Sequence, residues 1–262
     1  MSRQTDLRNR IVCLTGASSG IGEACARVFA REGASLILLA RRQDRLERLA
    51  RDLEGAWGAR VLISRLDVRN QPQVEAFFGG LSPAWEEIEV LVNNAGLSRG
   101  LAKLHEGELR DWEEMIDTNV KGLLYVSRAV IPGMVRRNWG HVVNIGSIAG
   151  HQVYPGGNVY CASKFGVTAL GRGLRMDLQG TDVRVTNVDP GLVETEFSLV
   201  RYRGDAGRAG RTYAGMQPLT GEDVAEAVLF CVQRPAHVSV AEMLLLPTAQ
   251  ASAAMVHRSG TS

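Results

Sequence analysis

Cysteine and histidine are scarce in this chain of 262 residues, and their spacing argues against a metal site. The four cysteines stand far apart, with no Cys-x-x-Cys pair, and the five histidines do not have the spacing of metal ligands. Isolated cysteines of this kind are typical of reduced, mostly buried thiols in a cytosolic protein. We expect Cys161 to be a packing residue, although an exposed thiol there would make the protein sensitive to alkylation.

Long apolar runs and an excess of one charge are also missing. Apolar runs are short, Leu36–Ala40 among them, and residues 1–9 are polar, so we expect neither a membrane span nor a secretory signal peptide. The net charge is only +2 with scattered basic residues, which argues against nucleic acid as a partner. No linker or repeat divides the chain. We expect a cytoplasmic protein with one domain over residues 1–262 and short polar tails at 1–9 and about 257–262.

Lysine is the rarest charged residue, and one lysine follows a tyrosine at helical spacing. The sequence has 30 Lys and Arg together, but only Lys103, Lys121 and Lys164 are lysines. Tyr160 and Lys164 are four residues apart, which places both side chains on one face of a helix. An ammonium is a compact charge that can stabilise a phenolate and hold a ribose, whereas a guanidinium is a broad fork that keeps its proton. The alternative is an incidental pair on a surface helix.

A glycine-rich turn follows the first apolar run. Thr15–Gly22 comes after Ile11–Leu14 and precedes a helical pattern, so the context is strand, turn and helix. This context is the one that a dinucleotide-binding fingerprint requires: Gly16 permits a tight turn, Gly20 lets backbone approach a phosphate, and Gly22 lets the helix pack against the strand. The start of the helix would face the pyrophosphate.

The next strand, Ser35–Ala40, ends in two arginines. An acidic residue at this position would bond the ribose 2′-hydroxyl of NAD, but Arg41 and Arg42 stand here instead. Guanidiniums suit a 2′-phosphate, so the sequence favours NADP. The alternative is that both arginines open a solvated helix.

Polar residues follow the later strands at positions where ligands bind in open α/β sheets. Asp67 and Val68 follow a third strand, Asn93–Gly96 ends a fourth, and Ser147 follows a fifth. Asn119 lies inside a helix predicted over about 111–137, where asparagine is unfavourable, so it is either exposed or bends the helix for a reason. The alternation of strands and helices predicts an α/β fold: a doubly wound, Rossmann-type parallel sheet of about seven strands with helices on both faces.

These motifs, in this order, resemble the classical short-chain dehydrogenase/reductase family over about residues 10–246. The resemblance implies a catalytic tetrad of Asn119, Ser147, Tyr160 and Lys164, in which Tyr160 is the acid or base, Ser147 holds the substrate oxygen, Lys164 lowers the pKa of Tyr160, and Asn119 anchors a water. It also implies a nicotinamide loop at Pro190–Thr195. The residues expected to bind the cofactor are Gly16, Ser18, Ser19, Gly20, Ile21, Gly22, Arg41, Arg42, Asp67, Val68, Asn93, Asn94, Ala95, Gly96, Tyr160, Lys164, Pro190, Gly191, Val193 and Thr195.

Several segments are similar to the NADP-dependent serine/3-hydroxy acid dehydrogenase branch of this family. They are 117–123, 156–160, 196–201 and 234–238. The branch implies hydride transfer between NADP and the hydroxyl or carbonyl of a short 3-hydroxy acid such as L-serine, in a homotetramer. The apolar faces of the helices near Asp111 and Val159 are the expected dimerisation surface.

Substrate choice is expected to lie in a lid over about 197–216, a long connection rich in Gly and Arg. Ser147 and Tyr160 would hold the hydroxyl, and Arg201, Arg203 or Arg99 would clamp a carboxylate. His151, Gln152 and Tyr154 are expected to line the pocket. Two alternatives stay open: a broad NADPH-dependent carbonyl, ketosteroid or ketoacyl reductase, and a non-enzymatic NADP(H) sensor, although a sensor would be expected to lack Tyr160 or Lys164.

Overall fold

A computed structural model describes residues 5–260, which form one seven-stranded parallel sheet. Its strands are β1 (Ile11–Thr15), β2 (Ser35–Ala40), β3 (Val61–Arg65), β4 (Ile88–Asn93), β5 (Gly140–Ile145), β6 (Val183–Pro190) and β7 (Glu242–Leu245). The order across the sheet is β3-β2-β1-β4-β5-β6-β7, with every neighbouring pair parallel. The predicted Rossmann-type fold is confirmed. The strand order reverses between β1 and β4, which is where such sheets bind ligands.

The helices cover both faces of the sheet. They are α1 (Gly20–Arg31), α2 (Gln43–Trp57), α3 (Gln71–Gly79), α4 (Leu109–Ile116), α5 (Gly122–Arg137), α6 (Asn158–Asp177), α7 (Phe197–Arg201), α8 (Ala206–Arg211) and α9 (Gly221–Val232). One core packs α1, α2 and α9 on one face, and a second core packs α3 and α5 on the other. The central strands are therefore buried on both faces, which explains their continuous apolar runs.

The helix predicted over about 111–137 is interrupted at the position of the unfavourable asparagine. Asp117–Lys121 forms a π-helical turn between α4 and α5, and Asn119 lies within it. The asparagine is buried, with only 2% of its surface exposed. Such π-helical turns are frequent at functional sites. Of the two interpretations of Asn119, the structure excludes the exposed one and places the residue at a local change of helix geometry.

The predicted lid and tails differ in detail from the sequence expectation. Residues 197–216 contain two short helices, α7 and α8, and Asp205 caps α8 by accepting a hydrogen bond from the Arg208 N–H at 2.9 Å. Within the predicted polar tail 1–9, Leu7 is buried in the first core. Residues 1–4 and 261–262 of the predicted tails lie outside the described residues. Over 5–260, no helix combines the length and the apolar character that crossing a membrane requires.

Candidate functional site

A cavity runs along the carboxyl edge of the sheet, from the tip of β2 across β1 and β4 to the ends of β5 and β6. It brings together most of the residues that the sequence motifs single out. Those that line it are Gly16, Ser18, Ser19, Gly20, Ile21, Arg41, Arg42, Asp67, Val68, Asn94, Ala95, Gly96, Ser147, Tyr160, Lys164, Pro190, Gly191, Val193, Thr195 and Arg201. Because parallel strands all end at this edge, residues far apart in sequence converge here.

The glycine-rich turn lies at the centre of the cavity, and its glycines are sterically required. Gly16 has φ +67°, and a Cβ there would lie 2.9 Å from the Cα of Ala95. A Cβ on Gly22 would lie 2.4 Å from both the Gly16 carbonyl oxygen and the Asn94 amide nitrogen. The α1 helix thus begins close against β1 and β4. Its first N–H groups face the cavity edge, where they can bind a phosphate.

Two predicted cofactor residues lie behind the cavity lining. Gly22 provides the close packing just described. Asn93 is buried, and its Nδ2 donates to Ser127 Oγ and Asn144 Oδ1, both at 3.0 Å. Its side chain joins β4 to β5 and α5. The geometry therefore gives Asn93 and Gly22 a supporting position, and neither touches the cavity.

At the tip of β2, the two arginines have different environments. Arg42 donates to the Ser18 hydroxyl at 3.0 and 3.1 Å and to the Ser19 hydroxyl at 2.6 Å, so it spans the glycine-rich turn. It also forms an ion pair with Glu196 at 2.8 Å. Arg41 is half exposed and lies 4.0 Å from Glu114. Both guanidiniums border the cavity, where a 2′-phosphate would meet them.

Tyr160 and Lys164 lie on one face of α6, as their spacing predicts, and both are buried. The Lys164 Nζ donates to the Ile145 carbonyl at 2.8 Å, and burial lowers the pKa of Lys164 to about 8. Ser147 begins a short 3-10 turn at the end of β5, where its hydroxyl accepts the Ala149 N–H at 3.1 Å. The phenol, ammonium and hydroxyl thus all line the cavity within one region.

The pKa of Tyr160 differs from the sequence expectation. Burial is the largest cause and raises this pKa well above 10, with Tyr154 acting in the same direction. The Arg201 guanidinium and a hydrogen bond to Ser147 lower it by smaller amounts. Lys164, whose ammonium donates to the Ile145 carbonyl, is not among the main causes of this shift in the pKa of Tyr160. A nearby positive charge is therefore needed to make Tyr160 an effective base at neutral pH.

Asn119 braces the loop after β4. Its Oδ1 accepts the Leu97 N–H at 2.8 Å, and its Nδ2 donates to the Leu97 carbonyl at 2.9 Å and to Ser163 Oγ at 3.0 Å. A Cβ on Gly96 would lie 3.2 Å from Asn119 Oδ1 and 3.6 Å from Lys164 Nζ. The glycine thus leaves room for both the Asn119 amide and the Lys164 ammonium beside this loop. The expected water beside Asn119 stays a prediction.

Of the three arginines considered for a carboxylate clamp, only Arg201 lines the cavity. Its guanidinium carbon lies 5.3 Å from the Tyr160 ring centre and 5.1 Å from that of Phe197, and it donates to the Tyr154 hydroxyl at 3.2 Å. The Arg201 Nε is buried and has no hydrogen-bond partner within residues 5–260. Arg201 is therefore the arginine placed to meet an anion beside Tyr160.

The other two arginines are engaged elsewhere. Arg99 pairs with Glu114 at 2.6 Å, and Arg203 pairs with Asp111 on α4 while remaining half exposed. Neither lines the cavity, so the structure does not place Arg203 against a substrate. The Arg203 pair joins the lid to α4, whereas the Arg99 pair joins the loop after β4 to α4.

Of the three residues after Ser147 that were expected to line the pocket, one does so. Tyr154 lines the cavity. His151 instead bonds Asp189 at 2.8 Å, and Gln152 accepts the Ala253 N–H at 2.8 Å. The 3-10 turn after Ser147 directs both away from the cavity. Cys161 is buried, with 1% of its surface exposed, so it is a packing residue.

Some polar residues of the cavity were not singled out as site residues from the sequence. Thr118 lies in the π-helical turn, and its buried hydroxyl has no partner among the described residues. Tyr213 donates to the Val193 carbonyl at 2.8 Å, and Gln250 accepts the Leu192 N–H at 2.8 Å. Glu196 lies beside Arg42. Thr118 and Glu196 lie in the segments 117–123 and 196–201 that carry the branch resemblance, although neither was singled out, whereas Tyr213 and Gln250 reach the site only through the fold.

Comparisons with known proteins agree with this geometry. A family model described as short chain dehydrogenase matches residues 10–203. The NADP-dependent 3-hydroxy acid dehydrogenase YdfG of Salmonella typhi is 49% identical over 251 residues, covering 95% of this chain and 100% of that protein. Sulfoacetaldehyde reductase 2 of Chromohalobacter salexigens is 46% identical over 242 residues, covering 92% and 95%. The closed form of serine dehydrogenase complexed with NADP+ superposes with a TM-score of 0.89 at 48% identity, covering 95% and 99%.

Proposed function

The chain belongs to the short-chain dehydrogenase family, and from this premise we propose that it is an NADP-dependent dehydrogenase of short 3-hydroxy acids, L-serine among them. The relative from Salmonella typhi carries that activity in its name, and the superposed structure is a serine dehydrogenase with NADP+. Within the molecule, the observation that carries the proposal is Arg201, whose guanidinium lies over Tyr160 inside the cavity. A cation fixed beside the catalytic hydroxyl is what an acidic substrate requires.

The residues of the cavity fit NADP. The positive φ angles at Gly16 and Gly20 open the turn where a pyrophosphate would meet the first N–H groups of α1. Arg41 and Arg42 stand at the tip of β2, where an NAD site has a carboxylate. Asp67 and Val68, the Asn94–Gly96 loop and the segment from Pro190 to Thr195 complete the predicted cofactor contacts. Lys164 would hold the nicotinamide ribose.

Proton transfer is the task of the protein. When bound, NADP+ supplies the hydride acceptor and a positively charged ring. Tyr160 takes the proton of the substrate hydroxyl in oxidation and returns it in reduction. Ser147 holds the same oxygen by a hydrogen bond. Lys164 is buried beside them and adds positive charge to the site, while Asn119 keeps the Gly96–Leu97 backbone in place.

Substrate orientation is the task of the lid. With its carboxylate on Arg201, a 3-hydroxy acid would direct its hydroxyl back toward Ser147 and Tyr160. Phe197 and Tyr154 flank Arg201 and restrict water around the ion pair. Fixing the acid at both ends lowers the entropic part of the barrier. A sulfonate carries the same charge as a carboxylate, so the clamp also accepts short sulfonates.

The test is reduction of NADP+ by purified protein, followed by absorbance of the reduced nicotinamide. L-Serine, 3-hydroxypropionate and 3-hydroxyisobutyrate are compared with neutral secondary alcohols of similar size, each with NADP+ and with NAD+. The proposal expects the highest kcat/KM for an acid with NADP+. If neutral alcohols are better substrates, the broad carbonyl reductase replaces the hydroxy acid enzyme. If no hydride transfer occurs with any substrate while NADP+ binds, the sensor alternative gains support.

The proposal extends to the assembly and compartment of the protein: a cytoplasmic homotetramer with one domain per chain, the lid lying over about 197–216. Large apolar side chains on α5 and α6 are exposed, among them Leu124, Phe165 and Met176. Large apolar side chains that are exposed together on neighbouring helices are typical of a protein–protein interface. Their position supports a contact between subunits through α5 and α6. Light scattering of the purified protein measures the number of chains directly, and a monomer would contradict this part.

A further inference from the structure

We infer that Glu196 sets the affinity for NADP by competing with the 2′-phosphate for Arg42. The inference rests on the proposed function, because it requires a cofactor that carries this phosphate. Glu196 precedes α7, and its carboxylate reaches across to the two arginines at the start of α2. It accepts hydrogen bonds from Arg42 at 2.8 Å and from Arg45 at 2.6 and 2.8 Å.

The donors of Arg42 are already distributed between two sets of acceptors. The Nε and one terminal nitrogen bond the hydroxyls of Ser18 and Ser19, and the other terminal nitrogen bonds Glu196. A 2′-phosphate arriving at the tip of β2 therefore meets a guanidinium whose outer nitrogen is bonded to a carboxylate. Two anions cannot share this nitrogen without electrostatic repulsion, so the phosphate has to displace Glu196 from Arg42.

Arg45 provides the place to which Glu196 can withdraw. It bonds both carboxylate oxygens and does not line the cavity, so it is not needed by the cofactor. The two guanidiniums lower the pKa of Glu196, with the bond to Arg45 the larger cause, so the carboxylate is charged at neutral pH and the competition operates there. NAD lacks the phosphate, so it carries no group that would compete with Glu196 for Arg42. The carboxylate thus weakens NADP binding selectively.

The experiment measures equilibrium binding of NADP+ and NAD+ to the full-length protein without substrate, at low ionic strength, for the unmodified chain and for Glu196→Gln. We expect the variant to bind NADP+ roughly two- to fivefold more tightly, the size of one half-exposed ion pair, with NAD+ binding unchanged. High salt should reduce the gain. Glu47→Gln is the matched control, since Glu47 is an exposed carboxylate on α2 that does not line the cavity, and it should change neither affinity.

A second variant separates competition from a general effect on the fold. Arg42→Gln removes the guanidinium for which Glu196 and the 2′-phosphate compete. Adding Glu196→Gln to this variant should therefore no longer tighten NADP+ binding. Weaker or unchanged NADP+ binding in the single Glu196→Gln variant overturns the inference, and so does an equal change for both cofactors. If the unmodified protein binds NADP+ no more tightly than NAD+, it is the proposed function that fails first.

Discussion

Arg201 lies over the ring of Tyr160, with its guanidinium carbon 5.3 Å from the ring centre. The two residues come from different parts of the fold, Tyr160 from α6 and Arg201 from the end of the short lid helix α7. A backbone hydrogen bond also holds Arg201 in place, because the Gly100 N–H donates to the Arg201 carbonyl at 3.0 Å. The side chain that transfers the proton and the side chain that would bind an anion thus lie next to each other in the cavity.

Replacing Tyr160 by Phe should remove turnover and leave cofactor binding nearly intact. Phe keeps the ring that packs against Phe197 and Arg201 but lacks the hydroxyl that transfers the proton. General acid–base groups contribute about 10²–10⁴-fold to rate. The check is kcat with the best hydroxy acid together with the Kd of NADPH by fluorescence. A variant that keeps most of its activity would show that another group handles the proton.

The ionisation of Tyr160 should depend on NADP+. Burial raises its pKa above the ordinary value of 10, so the protein alone should keep this phenol protonated at that pH. The positive ring of NADP+ should lower the pKa by stabilising the phenolate. The ultraviolet titration curve of Tyr160→Phe is subtracted from that of the unmodified protein, with and without NADP+. The difference reports the ionisation of this one phenol. Identical titrations in both conditions would mean that the cofactor does not activate Tyr160.

Lys164 should make stability depend on pH. Its pKa falls from 10.5 to about 8 on burial, so the unfolded chain binds more protons between these values. The free energy of unfolding therefore rises with pH across this window, because protonated Lys164 is costly to bury. Relative to Lys164→Met, the unmodified protein should gain roughly 3 kcal/mol over the window.

Urea unfolding of both proteins at a series of pH values measures this gain. Lys103→Met is the control, since Lys103 is exposed and its removal should leave the pH dependence unchanged. If the curves of the unmodified protein and Lys164→Met stay parallel from about pH 7 to 10, Lys164 keeps an ordinary pKa in the folded state.

The fold follows from sequence patterns because each pattern has a local cause. Buried parallel strands need apolar side chains on both faces, which is why β2 is recognisable as a continuous apolar run. The glycine-rich turn and the Tyr160–Lys164 spacing are equally local, so many residues of the cofactor cavity could be named in advance. The only sign of the π-helical turn in the sequence was an unfavourable asparagine at position 119. That this asparagine is buried became known only from the structure.

The features that the sequence could not show depend on contacts between residues far apart in the chain. Arg99, Arg201 and Arg203 are equivalent in the sequence, and only the positions of Glu114 and Asp111 show that two of them are already paired. The pKa of Tyr160 likewise depends on burial and on the positions of Tyr154 and Arg201, and none of these can be read from a four-residue spacing.

The central claim, that Arg201 binds the substrate's acidic group, is tested by Arg201→Met. The variant keeps an apolar side chain against Phe197 but loses the charge, so kcat/KM should fall much more for acids than for neutral alcohols, which feel only the change at Tyr160. One charge-assisted contact is worth about 1.5–3 kcal/mol, or roughly 10- to 150-fold in the ratio between the two substrates.

The most direct measurement is the ratio of kcat/KM for L-serine to that for a neutral secondary alcohol of similar size, in the unmodified protein and in Arg201→Met. Arg203→Met serves as the matched control, because Arg203 is paired with Asp111 outside the cavity. We predict a ratio that collapses in Arg201→Met and persists in Arg203→Met. An unchanged ratio in Arg201→Met, or an equal loss in both variants, would contradict the assignment of Arg201 as the clamp.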